Sequence, residues 1–415
     1  MTFDVEAVRQ KFPAIRENSA VFFDNPAGTQ VSEGVMNAVS DYFVYANANT
    51  GGAFVTSRRT DELMTRARRL LADFLNAPSH EEIVFGPNMT TLNFGLSRAI
   101  GKTLSKGDEI ILTRMDHDAN VAPWLEIAED HQLKVCWIDI VPEDGTLNLD
   151  TYAEALSKRT KLVATVHASN ALGTINPIAE IAEMAHQVGA LHVVDAVQSA
   201  PHVPLDVQAL GCDFLLCSAY KFFGPHIGVM WGKYDLLAEL PAYKVRPSKD
   251  VPPHRWETGT QSFETIHATA QAVEYVRKLG REYGLAHAEE FAHMGGNRTE
   301  IHAGMAALRV YETELVRQLI ETLTAIAGTK IYGVTDPDRF EERVPTVIFS
   351  MRGHSPDEIA EHLAMNGIYV WSGHYYAIEV MNRLGHEENG LVRVGLAHYN
   401  TSQEIERLGH ALEDL

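Results

Sequence analysis

The sequence predicts an α/β protein: a mainly parallel sheet covered by helices on both faces, joined to a smaller α+β unit. Three observations predict it. Between about residues 60 and 235, short apolar runs alternate with stretches of helical periodicity. Strands separated by helices require crossover connections, hence parallel pairing and burial of both sheet faces. From Glu274 onward the alternation gives way to long helical periodicity followed by isolated strand candidates. Finally, the 415 residues are 45% hydrophobic and 22% charged, ordinary globular usage that supplies a sizeable core and argues against disorder.

In chain order, helical Glu62–Asn76 leads to a strand at Glu82–Phe85, and helical Thr91–Ile100 leads to a strand at Glu109–Thr113. Further strands are expected at Lys134–Ile140, Lys161–His167, Leu191–Asp195, Phe214–Ser218 and Gly228–Trp231, each β-rich and bounded by turn residues. The helix Ile178–Val188 ends at Gly189, which suits a left-handed C-terminal cap. A long helical region, His267 to Gly328, carries glycine breaks. After it come a strand at Val344–Met351, a helix at Pro356–Asn366, strands at Ile368–Trp371 and Leu391–Leu396, and a helix from Ser402 to Leu412. The expected division is a large unit over residues 20–275 and a small one built from residues 1–19 and 276–415. The proline-rich stretch Arg246–His254 reads as a linker or as a loop crossing a subunit boundary.

Composition narrows the partners. Acidic residues number 55 against 35 basic ones, a net charge of −20, which repels nucleic acid over most of the surface. The densest basic stretch, Arg66 to Arg69, reads as a solvated helix face, so no nucleic-acid partner is expected. Three cysteines, Cys136, Cys212 and Cys217, do not make a disulfide framework. Residues Met1 to Lys11 lack the layout of a signal peptide, and no apolar run approaches the roughly 20 residues of a membrane span. A cytoplasmic protein without membrane contact is the expectation. His287 and His293 beside Glu289 and Glu290 lack the i, i+4 spacing of a zinc helix, and His386-Glu387-Glu388 lacks a second histidine. Neither a metal site nor a dinucleotide site is expected.

The most specific local feature is Ser218-Ala219-Tyr220-Lys221-Phe222-Phe223-Gly224-Pro225, directly after an apolar strand. A lysine in a partly buried turn has its ammonium form disfavoured, which favours the free amine needed for a Schiff base. Taken alone, Lys221 reads equally well as a lysine snorkelling from a loop. Asp195 ends another apolar strand, with Gln198 shortly after. A carboxylate there is either a helix N-cap or the partner of a pyridinium nitrogen, as pyridoxal phosphate requires. Thr90 and Thr91 follow a third strand and open a helix, an arrangement suited to binding phosphate. Each signal is weak singly; together, each at a strand end, they point to pyridoxal phosphate.

Five motifs then resemble a known family. Phe22-Phe23-Asp24-Asn25-Pro26-Ala27-Gly28, Met115-Asp116-His117-Asp118-Ala119-Asn120, His167-Ala168-Ser169-Asn170, Asp195-Ala196-Val197-Gln198 and Ser218-Ala219-Tyr220-Lys221 are similar to those of class V aminotransferase enzymes, and most of all to their cysteine desulfurase branch. The resemblance continues through Glu257-Thr258-Gly259-Thr260, Arg343-Val344-Pro345-Thr346 and Leu391-Val392-Arg393-Val394. It implies the type I pyridoxal-phosphate fold, with a mostly parallel seven-stranded sheet and a smaller α+β domain.

Residue by residue, the resemblance implies that Lys221 forms the Schiff base and His117 stacks on the cofactor ring. Asp195 would pair with the ring nitrogen, while Gln198 and Asn170 would flank the phenolic oxygen. Met89, Thr90, Ser218 and Tyr220 would hold the phosphate. Thr260 would add a contact from a neighbouring subunit, implying a homodimer with the site at the subunit interface. Arg393 would clamp the carboxylate of a small amino-acid substrate, with Asn25, Ala27, Trp371 and Tyr376 nearby. The alternative for Arg393 is a structural ion pair in a core strand.

Two departures matter. The family carries His where this chain has Tyr220, and a phenol still offers one hydrogen bond. In the loop Trp371-Ser372-Gly373-His374-Tyr375-Tyr376-Ala377 the desulfurase pattern is Arg-Thr-Gly-His-His-Cys-Ala, whose cysteine takes up sulfur as a persulfide. Tyr376 stands at that position, and a phenol cannot accept sulfur in this way. The expected activity is therefore a lyase acting on a leaving group at Cβ of a cysteine-like amino acid. Alternatives are an aminotransferase or epimerase, or a decarboxylative or desulfinating enzyme forming a carbon–carbon bond. Trp371 and Tyr376 are expected to narrow the pocket mouth; the alternative is that their loop is displaced from the site.

Overall fold

Seven apolar runs form one sheet: β1 (Ile83–Gly86), β2 (Glu109–Thr113), β3 (Lys134–Ile138), β4 (Thr160–Val166), β5 (Leu191–Asp195), β6 (Phe214–Ser218) and β7 (Gly228–Gly232), in the spatial order β1-β7-β6-β5-β4-β2-β3. The computed structural model describes residues 3–415. Strands β1, β2, β6 and β7 are buried at every position. That is why they read as continuous apolar runs rather than alternating ones. Only β7 runs antiparallel to its neighbours β1 and β6. The nine residues 219–227 that connect it to β6 are too few for the crossover that parallel pairing needs.

The second sheet has four antiparallel strands, β8 (Thr329–Tyr332), β9 (Thr346–Met351), β10 (Trp371–Gly373) and β11 (Leu391–Gly395), in the order β8-β9-β11-β10. Helices Gly296–Ala325, Pro356–Met365 and Ser402–Glu413 contribute Leu319, Leu363 and Leu408 to a core shared with Val347, Phe349 and Val394. The expected strand Ile368–Trp371 is divided. Ile368–Tyr369 pairs in parallel with Val21–Phe22, and Trp371 begins β10.

The long helical region is two helices, Phe263–Tyr283 and Gly296–Ala325, separated by short 3-10 turns. Two of its glycines are contacts rather than breaks. A Cβ at Gly280 would lie 1.7 Å from the Glu300 carbonyl oxygen, and one at Gly304 would lie 2.6 Å from that of Val276. The helices cross at this point because neither glycine has a side chain. At the N-terminus, Val8, Phe12 and Ile15 enter the core that also holds Phe74, Phe222 and Tyr399. Arg9 reaches the Tyr399 carbonyl (2.7 Å) and Glu404 (2.9 Å).

All three cysteines are free. Cys212 and Cys217 are fully buried, and burial pushes the Cys212 thiol up to about 12. No helix among the described residues is long and apolar enough to cross a membrane.

Candidate functional site

The carboxyl ends of β1, β2, β4, β5 and β6 converge on one edge of the large sheet, where loops of α/β folds bind ligands. A cavity of about 420 Å³ opens there, closed on its other side by the loop around β10 and by β11. Met89, Thr90, His117, Asn170, Asp195, Gln198, Ser218, Tyr220, Lys221, Trp371, Tyr376 and Arg393 all line it, as does Ala27.

Lys221 ends a 3-10 turn that follows β6 directly. It is buried, and its Nζ donates to the Pro26 carbonyl. The same Nζ lies 4.8 Å from the centroid of the Tyr220 ring. Burial, and next the Arg393 charge, lowers its amine to about 7, while Asp195 and Asp24 act in the opposite sense. Free amine is therefore abundant at neutral pH, the condition for a nucleophilic lysine.

Asp195 closes β5 and accepts the Val197 backbone N–H at 2.8 Å. Burial raises it to about 6, with the Lys221 charge opposing. His117 caps the turn Asp118–Asn120, and its Nδ1 accepts the Ala119 N–H at 3.0 Å. That bond leaves the proton of the neutral ring on Nε2. Burial, then Lys221 and Arg393, lowers the imidazole to about 4, so it is neutral at physiological pH. Gln198 donates to Thr346 Oγ1 at 3.2 Å, and Asn170 to the Tyr375 carbonyl at 2.9 Å. Oε1 of Gln198 and Oδ1 of Asn170 are buried without a partner.

Met89 and Thr90 open the helix Met89–Gly101, and Asn88 caps it by accepting the Thr91 N–H at 2.7 Å. The turn before this helix presses on β7. A Cβ at Gly228 would lie 2.3 Å from the Asn88 carbonyl carbon, so only glycine lets these backbones approach. Tyr220 stacks on His226, with ring centroids 4.7 Å apart and planes at 9°.

Arg393 sits in β11, 5% exposed. Its Nη1 donates to the Asn170 carbonyl at 2.9 Å, its guanidinium lies 4.3 Å from the Tyr375 ring centroid, and its Nε has no partner. Among the described residues no carboxylate pairs with it. Burial lowers it to about 10, so it remains a cation. A buried, unpaired guanidinium facing a cavity suits an anionic ligand.

The loop after β10 is docked on the site. Tyr375 and Tyr376 both hold left-handed backbone, φ 53° and 58°, which is costly for aromatic residues. The Asp118 N–H donates to the Tyr376 carbonyl at 2.8 Å, and Tyr376 N–H donates to His374 Nδ1 at 3.0 Å. The Tyr376 ring stacks on His117 with centroids 5.4 Å apart and planes at 25°. Trp371 is the direct cross-strand partner of Arg393, so the two side chains share a sheet face.

Two of the expected residues do not line the cavity of their own chain, which for Thr260 is what a contact to a neighbouring subunit requires. Asn25 does not line the cavity: its amide donates to the carbonyls of Phe22 and Gly395, both at 2.9 Å, and to Asn400. With its nitrogen so committed, it ties the strand Val21–Phe22 to the end of β11 instead of facing substrate. Thr260 is exposed in the loop before Phe263–Tyr283 and outside this cavity. Of the lining residues not named from the sequence, one acts on a named one. Tyr375 covers Arg393 and donates its hydroxyl to the Leu391 carbonyl. Its signal was available, since the family pattern has His at that position.

These residues fit pyridoxal phosphate. The orphaned Gln198 and Asn170 oxygens, the buried amine and the buried carboxylate converge on a cavity whose far end is a helix N-terminus. Fold and cavity together define a pyridoxal-phosphate enzyme of the type I fold. The chain belongs to the class V aminotransferase family, whose model (aminotransferase class-V) matches residues 21–301 and 298–408.

Among its relatives, a cysteine desulfurase of Synechococcus elongatus is 35% identical over 99% of this chain and 63% of its own length. A probable cysteine desulfurase of Mycolicibacterium paratuberculosis is 33% identical over 97% of this chain, which spans 57% of that relative. The aminotransferase-like protein FGM3 of Gibberella zeae is 32% identical over 99% of this chain and 98% of its own. Among solved structures, the apo cysteine desulfurase of Thermococcus onnurineus NA1 superposes with a TM-score of 0.87 at 29% identity, covering 99% of this chain and 97% of that one.

Proposed function

We propose that this enzyme is a lyase that removes a sulfur-linked group from Cβ of a cysteine-derived amino acid without passing sulfur to a cysteine of its own. The observation that carries this reading is the pairing of Lys221, at about 7, with Tyr376 at the loop tip and no cysteine among the lining residues.

Lys221 would tether pyridoxal phosphate, Asp195 would face its ring nitrogen and His117 its ring. Gln198 and Asn170 would meet the phenolic oxygen, and Met89, Thr90, Ser218 and Tyr220 the phosphate. When bound, the cofactor supplies an electron sink for the negative charge left at Cα. Arg393 holds the substrate carboxylate through a fixed planar fork. Tyr375 and the Asn170 carbonyl position that fork. Lys221 Nζ, once free, removes the Cα proton. The Cβ–S bond then breaks, sulfur leaving with the bonding electron pair and taking a proton to become a thiol. The three-carbon remainder takes up water and ends as pyruvate and ammonium. The neutral His117 excludes water from one face and adds no positive charge.

Support for elimination rather than desulfuration lies in Tyr376, since its phenol has no means of carrying sulfur. The same reading makes the enzyme a homodimer, Thr260 of one copy serving the cavity of the other; a monomer by light scattering overturns that part. The chemistry is tested by incubating the holoenzyme with cysteine, cystine, S-substituted cysteines and cysteine sulfinate. Pyruvate and thiol in equal amounts support the reading. An enzyme-bound persulfide, or alanine from sulfinate, overturns it.

A further inference from the structure

Resting on the reading of this cavity as the substrate site, we propose that Trp371 and Tyr376 form a preformed pocket for a neutral, flat or bulky apolar group on the substrate's β-carbon. The same pocket rejects a β-substituent that carries negative charge.

Charge is the first argument. The cavity is lined by one lasting cation, Arg393, since the Lys221 amine is lowered to about 7 and the His117 imidazole to about 4. Arg393 is committed to the α-carboxylate and Lys221 to the chemistry. An anionic side chain would need a further donor, and at the position where the desulfurase pattern has arginine this chain has Trp371. Among the described residues, the one cation that meets the loop is Arg393 itself, 4.3 Å from the Tyr375 ring centroid. Beside it, Ser372 Oγ donates to the Asp357 carboxylate at 2.6 Å and is not free for a ligand. A sulfinate or second carboxylate there would be desolvated without a second cation to pair with.

Shape is the second argument. Trp371 is 52% and Tyr376 63% exposed, although both line the cavity. Their ring faces are apolar area that a ligand can cover. The loop is already fixed by the Asp118 and Asn170 hydrogen bonds to the carbonyls of Tyr376 and Tyr375, so little ordering is lost when a ligand arrives. The pocket favours leaving groups such as aryl or bulky alkyl thiols over sulfite-like or carboxylate ones.

The test uses amino acids without a leaving group, so it does not depend on elimination. Alanine, aspartate and phenylalanine are titrated into the holoenzyme, with binding followed by cofactor absorbance and by calorimetry. Phenylalanine is expected to bind about tenfold tighter than alanine, roughly 1.4 kcal/mol, and aspartate no better than alanine. In Trp371→Ala and Tyr376→Ala the ratio should fall to about threefold or less. Trp371→Arg, which restores a cation at the same place, should raise aspartate above phenylalanine. Aspartate binding more tightly than phenylalanine in the unmodified enzyme, or a ratio unmoved by all three substitutions, overturns the proposal. If no S-substituted cysteine yields pyruvate yet the ratio behaves as stated, the lyase reading fails alone.

Discussion

The two walls of the cavity differ in kind. The wall made by the large sheet is buried: Met89, Asp195, Gln198 and Ser218 are each 3% exposed, and each sits at or just beyond a strand end. The wall made by the loop after β10 presents half-open aromatic rings on a left-handed backbone. The first wall keeps the family's residue types almost throughout, with Tyr220 the exception. The second changes four of them, at Trp371, Ser372, Tyr375 and Tyr376. A wall shaped around one fixed cofactor tolerates little change, whereas a wall that meets the substrate varies with what must be bound. The family likeness of the first wall therefore argues for cofactor chemistry, and the divergence of the second argues for a different substrate.

The largest expected effect comes from the first wall. Lys221→Ala should lower turnover of the best substrate by about three orders of magnitude and abolish the absorbance of the tethered cofactor. Full activity in this variant would remove Lys221 from the chemistry. The same lysine makes a pH prediction for the cofactor-free protein. Its folded value of about 7 lies below the ordinary 10.5, so between these values the unfolded chain holds a proton that the folded chain lacks. Stability must then rise with pH through that window, its contribution complete above 10.5 and lost as pH falls to about 7. The unfolding free energy of the cofactor-free protein, read from urea titration, should thus climb relative to Lys221→Met from about pH 7 to about pH 10, by a few kcal/mol at most. A flat difference would show that the amine is not desolvated.

Gly228→Ala tests how rigid the first wall is. The added Cβ would meet the backbone of Asn88 and Met89 at 2.3 and 2.7 Å, and backbone cannot swing aside as a side chain can. A cost of roughly 1–3 kcal/mol is expected, together with cofactor affinity weakened about tenfold or more. Gly95→Ala is the control in the adjoining helix Met89–Gly101. Nothing lies within 4 Å of its Cβ, and the helix gains up to about 1 kcal/mol. If both variants behave alike, the contact between β7 and the turn is not what shapes the cradle.

The first wall was the legible one. Its strands are buried on both faces, so their apolar runs and terminal polar residues stand out in sequence. Other parts escaped, most of them for identifiable reasons. The helices Glu33–Tyr45 and Ala122–His131 have no counterpart among the expected elements, although the second lies between two runs that read as strands. The antiparallel direction of β7 follows from a short connection, which apolar patterning does not register. Gly280 and Gly304 read as breaks because local propensity is blind to a helix crossing that rewards the missing Cβ. Asn25 lies in a matching motif, yet its role depends on the Gly395 and Asn400 partners, about 370 residues away in the chain.

The smallest expected effect sharpens the second wall. Tyr376 contacts His117 and His374 through its ring, and no hydrogen bond from its hydroxyl is formed among the described residues. If the ring face is what receives the substrate, Tyr376→Phe should leave phenylalanine binding within about twofold, near 0.4 kcal/mol. Stacking on His117 is retained and the lost phenol was solvated. A loss of tenfold or more would mean that the hydroxyl itself meets the ligand, and the pocket would then be a polar one. The result matters most beside Tyr376→Ala, which removes ring and hydroxyl together. A large effect in the alanine variant with almost none in the phenylalanine variant assigns the selectivity to the aromatic surface, the property that distinguishes this wall from the one opposite.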